Sequence, residues 1–156
     1  MTDLLTYAET AGMENLRFRI QNSEVLAKEA ASTLAIILAG MGGSLAFAAK
    51  GLEQTTPSSF VFGAISLALW LMIVGGILVK FCILTQDLQA PTNEPANLYQ
   101  TEYSIEEIRI AELKNIQSRI QKATTRNHKV AAWLDRCRLL SLASPLIFAI
   151  PAFFFF

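Results

Sequence analysis

The chain has 156 residues, 53% of them hydrophobic and 17% charged, with a mean hydropathy of +0.39, a mix too apolar for an ordinary soluble domain and suited to a membrane protein. Its 13 basic and 13 acidic residues cancel, so no global field recruits nucleic acid, and a nucleic-acid partner is excluded. Two cysteines, Cys82 and Cys137, with a single histidine, His128, are too few for a disulfide framework or, unaided, a four-ligand zinc site; no metal and no cofactor is expected.

The pattern predicts an all-α integral membrane protein with two to three transmembrane helices and long cytoplasmic helical extensions. Residues 1–29 lack the basic and short apolar regions of a secretory signal, so the first apolar segment is expected to be retained. Within this stretch Met13, Leu16, Ile20 and Ser23 begin a three-and-four spacing that continues through Ala27 and Ala30 to Leu34. This predicts a cytoplasmic amphipathic helix, and no proline interrupts it before Ala49, so it is expected to run straight into the first span.

Residues 30–84 read as a transmembrane helical hairpin. Ala30 to Ala49 and Ser58 to Val79 contain no charge and approach or exceed the roughly 20 residues that cross the hydrocarbon layer. Thr56 before Pro57 reads as an N-cap followed by proline at the first helical position. In the first span Ala35, Ala39 and Gly43 recur every four residues, as do Gly40, Ser44 and Ala48. These make two adjacent small faces, either both spent on packing within the hairpin or divided between the hairpin and a neighbouring subunit. Gly63, Gly75 and Gly76 of the second span are positioned to accept the first. Neither span holds an internal ionisable residue, which disfavours an active transporter, whereas Ser44 and Ser66 are able to line an oligomeric pore. Trp70, in mid-span, reads as a packing residue.

Residues 85–103, with Pro91 and Pro95, read as an extended linker. Ser104-Ile-Glu-Glu107 is a capping box with Tyr103 and Ile108 at staple positions, which starts a cytoplasmic helix over 104–138, about 52 Å long at 1.5 Å per residue. Its seam passes through Leu113, Ile116, Ile120, Ala123, Asn127, Val130, Leu134 and Cys137 at alternating three and four spacing. Packing on the same chain and pairing between subunits both satisfy such a seam; the polar Asn127 favours self-association into a coiled coil, since a buried polar residue fixes register. Glu106, Glu107 and Glu112 fall on different faces with no nucleophile at matching spacing, so the reading is non-enzymatic. Arg126 and His128 stand too close together for the dyad of the helical ribonucleases of the HEPN type.

Residues 139–156 form the third span, with Pro145 and Pro151 as its irregularities, a re-entrant course as the alternative, and Phe153 to Phe156 as an outer aromatic anchor. Three basic residues precede the first span, one lies in the hairpin loop, and nine run from Lys80 to Arg138. The positive-inside rule then predicts a cytoplasmic N-terminus and a periplasmic C-terminus in a bacterial inner membrane. Lys80, Arg136 and Arg138 sit at the membrane boundary as lipid-headgroup contacts, and Cys82 and Cys137 share that depth.

Through Asn93-Glu-Pro-Ala-Asn-Leu-Tyr99, Ala111-Glu-Leu-Lys-Asn-Ile-Gln-Ser-Arg-Ile120 and Arg126-Asn-His-Lys-Val-Ala-Ala-Trp-Leu134 the chain resembles small membrane proteins of proteobacteria and their prophages. It is similar in size and span number to phage holins, although its expected topology departs from the common three-span holin. The resemblance assigns no activity; the leading expectation is a non-enzymatic homo-oligomer in the lipid bilayer that forms a pore or lesion, as phage lysis proteins do. The alternatives are a membrane anchor docking a cytoplasmic partner, or a membrane effector of a bacterial anti-phage system.

Overall fold

A computed structural model describes residues 2–56, 58–84 and 92–154. All regular structure among them is helical: α1 (Thr2–Leu52), α2 (Ser59–Leu78) followed directly by a π-helical turn (Val79–Ile83), α3 (Pro95–Leu98), α4 (Ile105–Leu142) and α5 (Ser144–Phe154). Three stretches, Leu4–Leu52, Ser59–Ile83 and Ile105–Phe154, contain segments long and apolar enough to cross a membrane. α1 is unbroken from Thr2 to Leu52, as the absence of proline predicts. The chain divides into two compact units, residues 1–26 with 85–129 and residues 27–84 with 130–156.

In the first unit the early parts of α1 and α4 lie side by side and parallel. Glu9 faces Arg109, Gly12 abuts Leu113 and Ile116, and Ser23 meets Asn127, so residue numbers rise together along both helices. Their stripes close on each other with Leu16 fully buried and Ile116 3% exposed; in water, burying such a side chain stabilises by about 1.5–3 kcal/mol. A Cβ on Gly12 would stand 3.2 Å from Ile116 Cγ2, so the missing side chain lets the backbones approach.

α4 begins at the predicted capping box. The Ser104 backbone N–H and hydroxyl donate to Glu107 Oε2 at 2.9 and 2.8 Å, and the Glu107 N–H donates to Ser104 Oγ at 3.3 Å. Ahead of it the expected extended linker is partly helical. Pro95 starts α3 with its φ already suited to a first helical position, and Asn93 is tied to Glu112 at 3.1 Å. Residues 85–91, including Pro91, lie outside the described residues.

The second unit is a three-helix bundle with α2 at its centre. On one side Gly75 faces Leu34 and Ile37, Gly40 faces Leu71, and Gly51 closely approaches Val61, which makes α1 and α2 the expected antiparallel hairpin. On the other side α2 runs antiparallel to the end of α4 and to α5, with Gly63 against Phe148 and Ala152, and Phe81 against Trp133. Between helices in lipid there is no gain from apolar burial, so close approach at glycine and interhelical hydrogen bonds hold such a bundle. The N-cap of α2 is Ser58 in extended conformation without a side-chain cap bond. Thr56 therefore does not cap, and Pro57 lies outside the described residues.

The junction of α4 and α5 follows from Pro145, whose ring cannot donate to the preceding turn. Leu140 O receives the Ala143 N–H at 3.2 Å and, from α2, the Trp70 indole N–H at 3.1 Å. Trp70 thus supplies a donor where the helix is interrupted, in addition to packing. Large apolar side chains cover the outside of this unit: Ile36 is 74% exposed and Leu142 76%.

Candidate functional site

Three groups of residues carry the functional expectations: the small faces of the spans, the seam of α4 and the basic residues at the membrane boundary. Of the small residues, Gly40, Ser44 and Gly75 turn into the hairpin. A Cβ on Gly40 would stand 3.1 Å from Leu71, and one on Gly75 would stand 3.4 Å from Ile37. The Ser44 hydroxyl donates to Gly40 O at 2.8 Å and is buried, so this polar group points into the chain's own packing. Ala35, Ala39, Gly43 and Gly76 are exposed, and nothing stands within 4 Å of a Cβ on Gly43 or Gly76. Gly63 differs from expectation. It receives α5 rather than the first span, with Phe148 O only 2.7 Å from a hypothetical Cβ.

Along the α4 seam, Ile116, Val130, Leu134 and Cys137 are buried while Leu113, Ile120 and Ala123 are half-buried. Asn127 finds its partners within the same chain. The Ser23 hydroxyl donates to Asn127 Oδ1 at 2.6 Å, and Asn127 Nδ2 donates to Arg19 O at 2.9 Å. Ser23 is the polar member of the α1 seam as Asn127 is of the α4 seam, and that shared irregularity was the signal in the sequence that the two belong together.

The boundary residues separate into two kinds. Arg138, expected at lipid headgroups, donates to Glu29 Oε2 at 3.0 Å, with both side chains 45% exposed. Lys80 and Arg136 instead stand over aromatic rings. Phe81 and Trp133 stack with centroids 4.2 Å apart and planes 8° from parallel; Lys80 Nζ lies 5.3 Å from the Phe81 centroid and the Arg136 guanidinium 4.8 Å from the Trp133 centroid. The π-helical turn positions this group. It closes with the Leu84 N–H donating to Val79 O at 2.9 Å, and the wider turn re-aims Phe81 and Cys82 relative to an α-helix. Cys82 donates to Val130 O across 3.7 Å, and both thiols are free and buried.

The acidic residues of α4 have structural partners. Glu107 belongs to the capping box, where the Ser104 backbone N–H and then its hydroxyl hold the carboxyl below its ordinary value. Glu112 accepts from Asn93 and Asn115 and pairs with Arg119 at 3.5 Å. In α1, Glu9 takes a two-pronged contact from Arg109 at 2.7 and 2.8 Å, and that hydrogen bonding lowers its pKa against the opposing effect of desolvation. A cavity of about 580 Å³ lies between α3 and the start of α4, lined with amide groups from Asn93, Asn97 and Asn115. Among the described residues no three His, Cys, Asp or Glu side chains are grouped to hold a metal ion.

Of the residues expected to form an outer aromatic anchor, Phe153 and Phe154 are exposed, and residues 155 and 156 lie outside the described residues. No protein-family model matches the chain, and neither curated proteins nor solved structures provide a match.

Proposed function

We propose that the protein is a non-enzymatic inner-membrane protein that assembles with copies of itself into a pore or membrane lesion, in the manner of a holin. The observation that carries this reading is the division of the small residues in α1. One face, with Ser44 and Ala48 buried and Gly40 against Leu71, packs into the hairpin, while Ala35, Ala39 and Gly43 remain uncovered on another. In lipid, an open small-residue face is suited to close approach by a second helix. The pairing of residues 1–26 with 105–129 in one unit supports their lying on one side of the membrane, and the excess of Lys and Arg there favours the cytoplasm.

Controlled expression in bacteria with a voltage-sensitive dye tests this. The expected result is rapid depolarisation by the natural chain and its loss in Gly43→Ile, with insertion unchanged. A chain that reaches the membrane in full amount and leaves the potential intact defeats the pore reading.

A second reading is a membrane anchor for a cytoplasmic protein. It is favoured by Leu4, Phe18 and Val25, which are 73%, 61% and 49% exposed on α1 and lie at multiples of seven residues, a spacing that keeps them near one helix face. Lack of toxicity with intact membrane insertion favours this reading, and toxicity that appears only with a partner favours an anti-phage effector.

A further inference from the structure

We propose that Lys80, Phe81, Trp133 and Arg136 form a binding site for the phosphate groups of anionic phospholipid. The stacked rings are too close for a cation between them, so Lys80 stands on the outer side of Phe81 and Arg136 on the outer side of Trp133. The result is a four-layer column with a positive charge at each end. The cations are too far apart to share one phosphate, and each holds its own.

Three observations point to a lipid. First, neither cation has a carboxylate partner among the described residues, whereas the nearby Arg138 is occupied by Glu29. A cation over a ring is oriented by the negative π face while its outward side remains free for an anion. Second, apolar tracks lead away from each cation, from Arg136 along α4 into α5 and from Lys80 along α2. From Arg136, Leu139, Leu142 and Leu146 follow at spacings of three, three and four and are 67%, 76% and 65% exposed. From Lys80, running back along α2, come exposed Gly76, Ile73 and Leu69. Each track accepts an acyl chain whose phosphate rests on the cation at its end. Third, Trp at the margin of an apolar belt is suited to the headgroup level, and the π turn sets Phe81 on Trp133 at that margin. The inference depends on membrane insertion but not on pore formation, so depolarisation and lipid binding fail independently.

Thermal unfolding of the full chain in neutral detergent, titrated with phosphatidylglycerol, phosphatidylcholine or inorganic phosphate, tests the site. Phosphatidylglycerol is expected to raise the unfolding temperature, with the other two probes having little effect. Lys80→Gln and Arg136→Gln are each expected to weaken the apparent affinity for phosphatidylglycerol about fivefold, the equivalent of about 1 kcal/mol per basic residue at a lipid surface. The double variant should fall to the phosphatidylcholine level, whereas Lys80→Arg should retain binding, and Lys114→Gln, an exposed position in the other unit, should behave as the natural chain. An equal response to inorganic phosphate, or an undiminished lipid shift in a folded Lys80→Gln/Arg136→Gln chain, overturns the proposal.

Discussion

The Ser23 hydroxyl donates to Asn127 Oδ1 across 2.6 Å, joining the one polar position of the α1 seam to the one polar position of the α4 seam. Both residues are buried, at 7% and 6% exposure, and the Asn127 amide is engaged in turn by Arg19 O. The pair sets the register of two parallel helices, since a one-turn slip would leave each polar group facing an apolar side chain.

Asn127→Leu should therefore lower stability in detergent by about 1 kcal/mol, the low end for a broken buried bond, because Ser23 keeps Arg19 O at 3.2 Å as a second acceptor. Combining it with Ser23→Ala should recover most of the loss, giving a positive coupling in a double-mutant cycle. The mass of the detergent-solubilised particle should not change. A shift in mass would mean that the seam pairs between subunits.

Gly63→Ala should destabilise the bundle by about 1–3 kcal/mol, because the new methyl would meet the Phe148 carbonyl, a backbone atom that cannot turn aside. Gly76→Ala, with open space around it, should be neutral or raise stability by up to about 1 kcal/mol through helix propensity. Denaturation of the two variants side by side checks this, and equal effects would refute the packing of α2 on α5.

Trp70→Phe should cost about 1 kcal/mol by removing the indole donor from Leu140 O at the Pro145 interruption. Amide exchange around Leu140 to Ala143 provides the readout. Unaltered protection there would show that the indole bond contributes nothing to the junction.

Acid should weaken the first unit. Glu9 has its folded-state pKa depressed by Arg109, and Glu107 by Ser104, from an ordinary value of 4.5. Their stabilisation is thus fully present above that value and is lost as pH falls through the lower folded-state values. Glu9→Gln should flatten the acid limb of a circular-dichroism titration of the full chain. A Glu9→Gln titration superimposable on that of the natural chain would contradict the role of the ion pair.

Several features are legible in the sequence. The three apolar segments, the capping box at Ser104 and the unbroken course of α1 depend on local hydropathy, spacing and the lack of proline. The assignment of partners was not equally legible. Gly63 and Gly75 look alike in sequence, yet one receives α5 and the other α1, because the choice depends on the rotation of α2 between two neighbours. Lys80, Arg136 and Arg138 all read as headgroup contacts at the membrane boundary, but Glu29 claims the last and aromatic rings orient the first two.

By itself the sequence determined which segments are apolar enough to enter a bilayer and where long helices start, since transfer from water to lipid and helix capping are set by residues close together in the chain. Only the tertiary structure decided that Asn127 is satisfied by Ser23, that Trp70 serves the Leu140 carbonyl and that the small residues of α1 divide into a covered and an open face. Those outcomes depend on the rotation and depth at which one helix meets another, to which many residues contribute a little and no local pattern contributes enough.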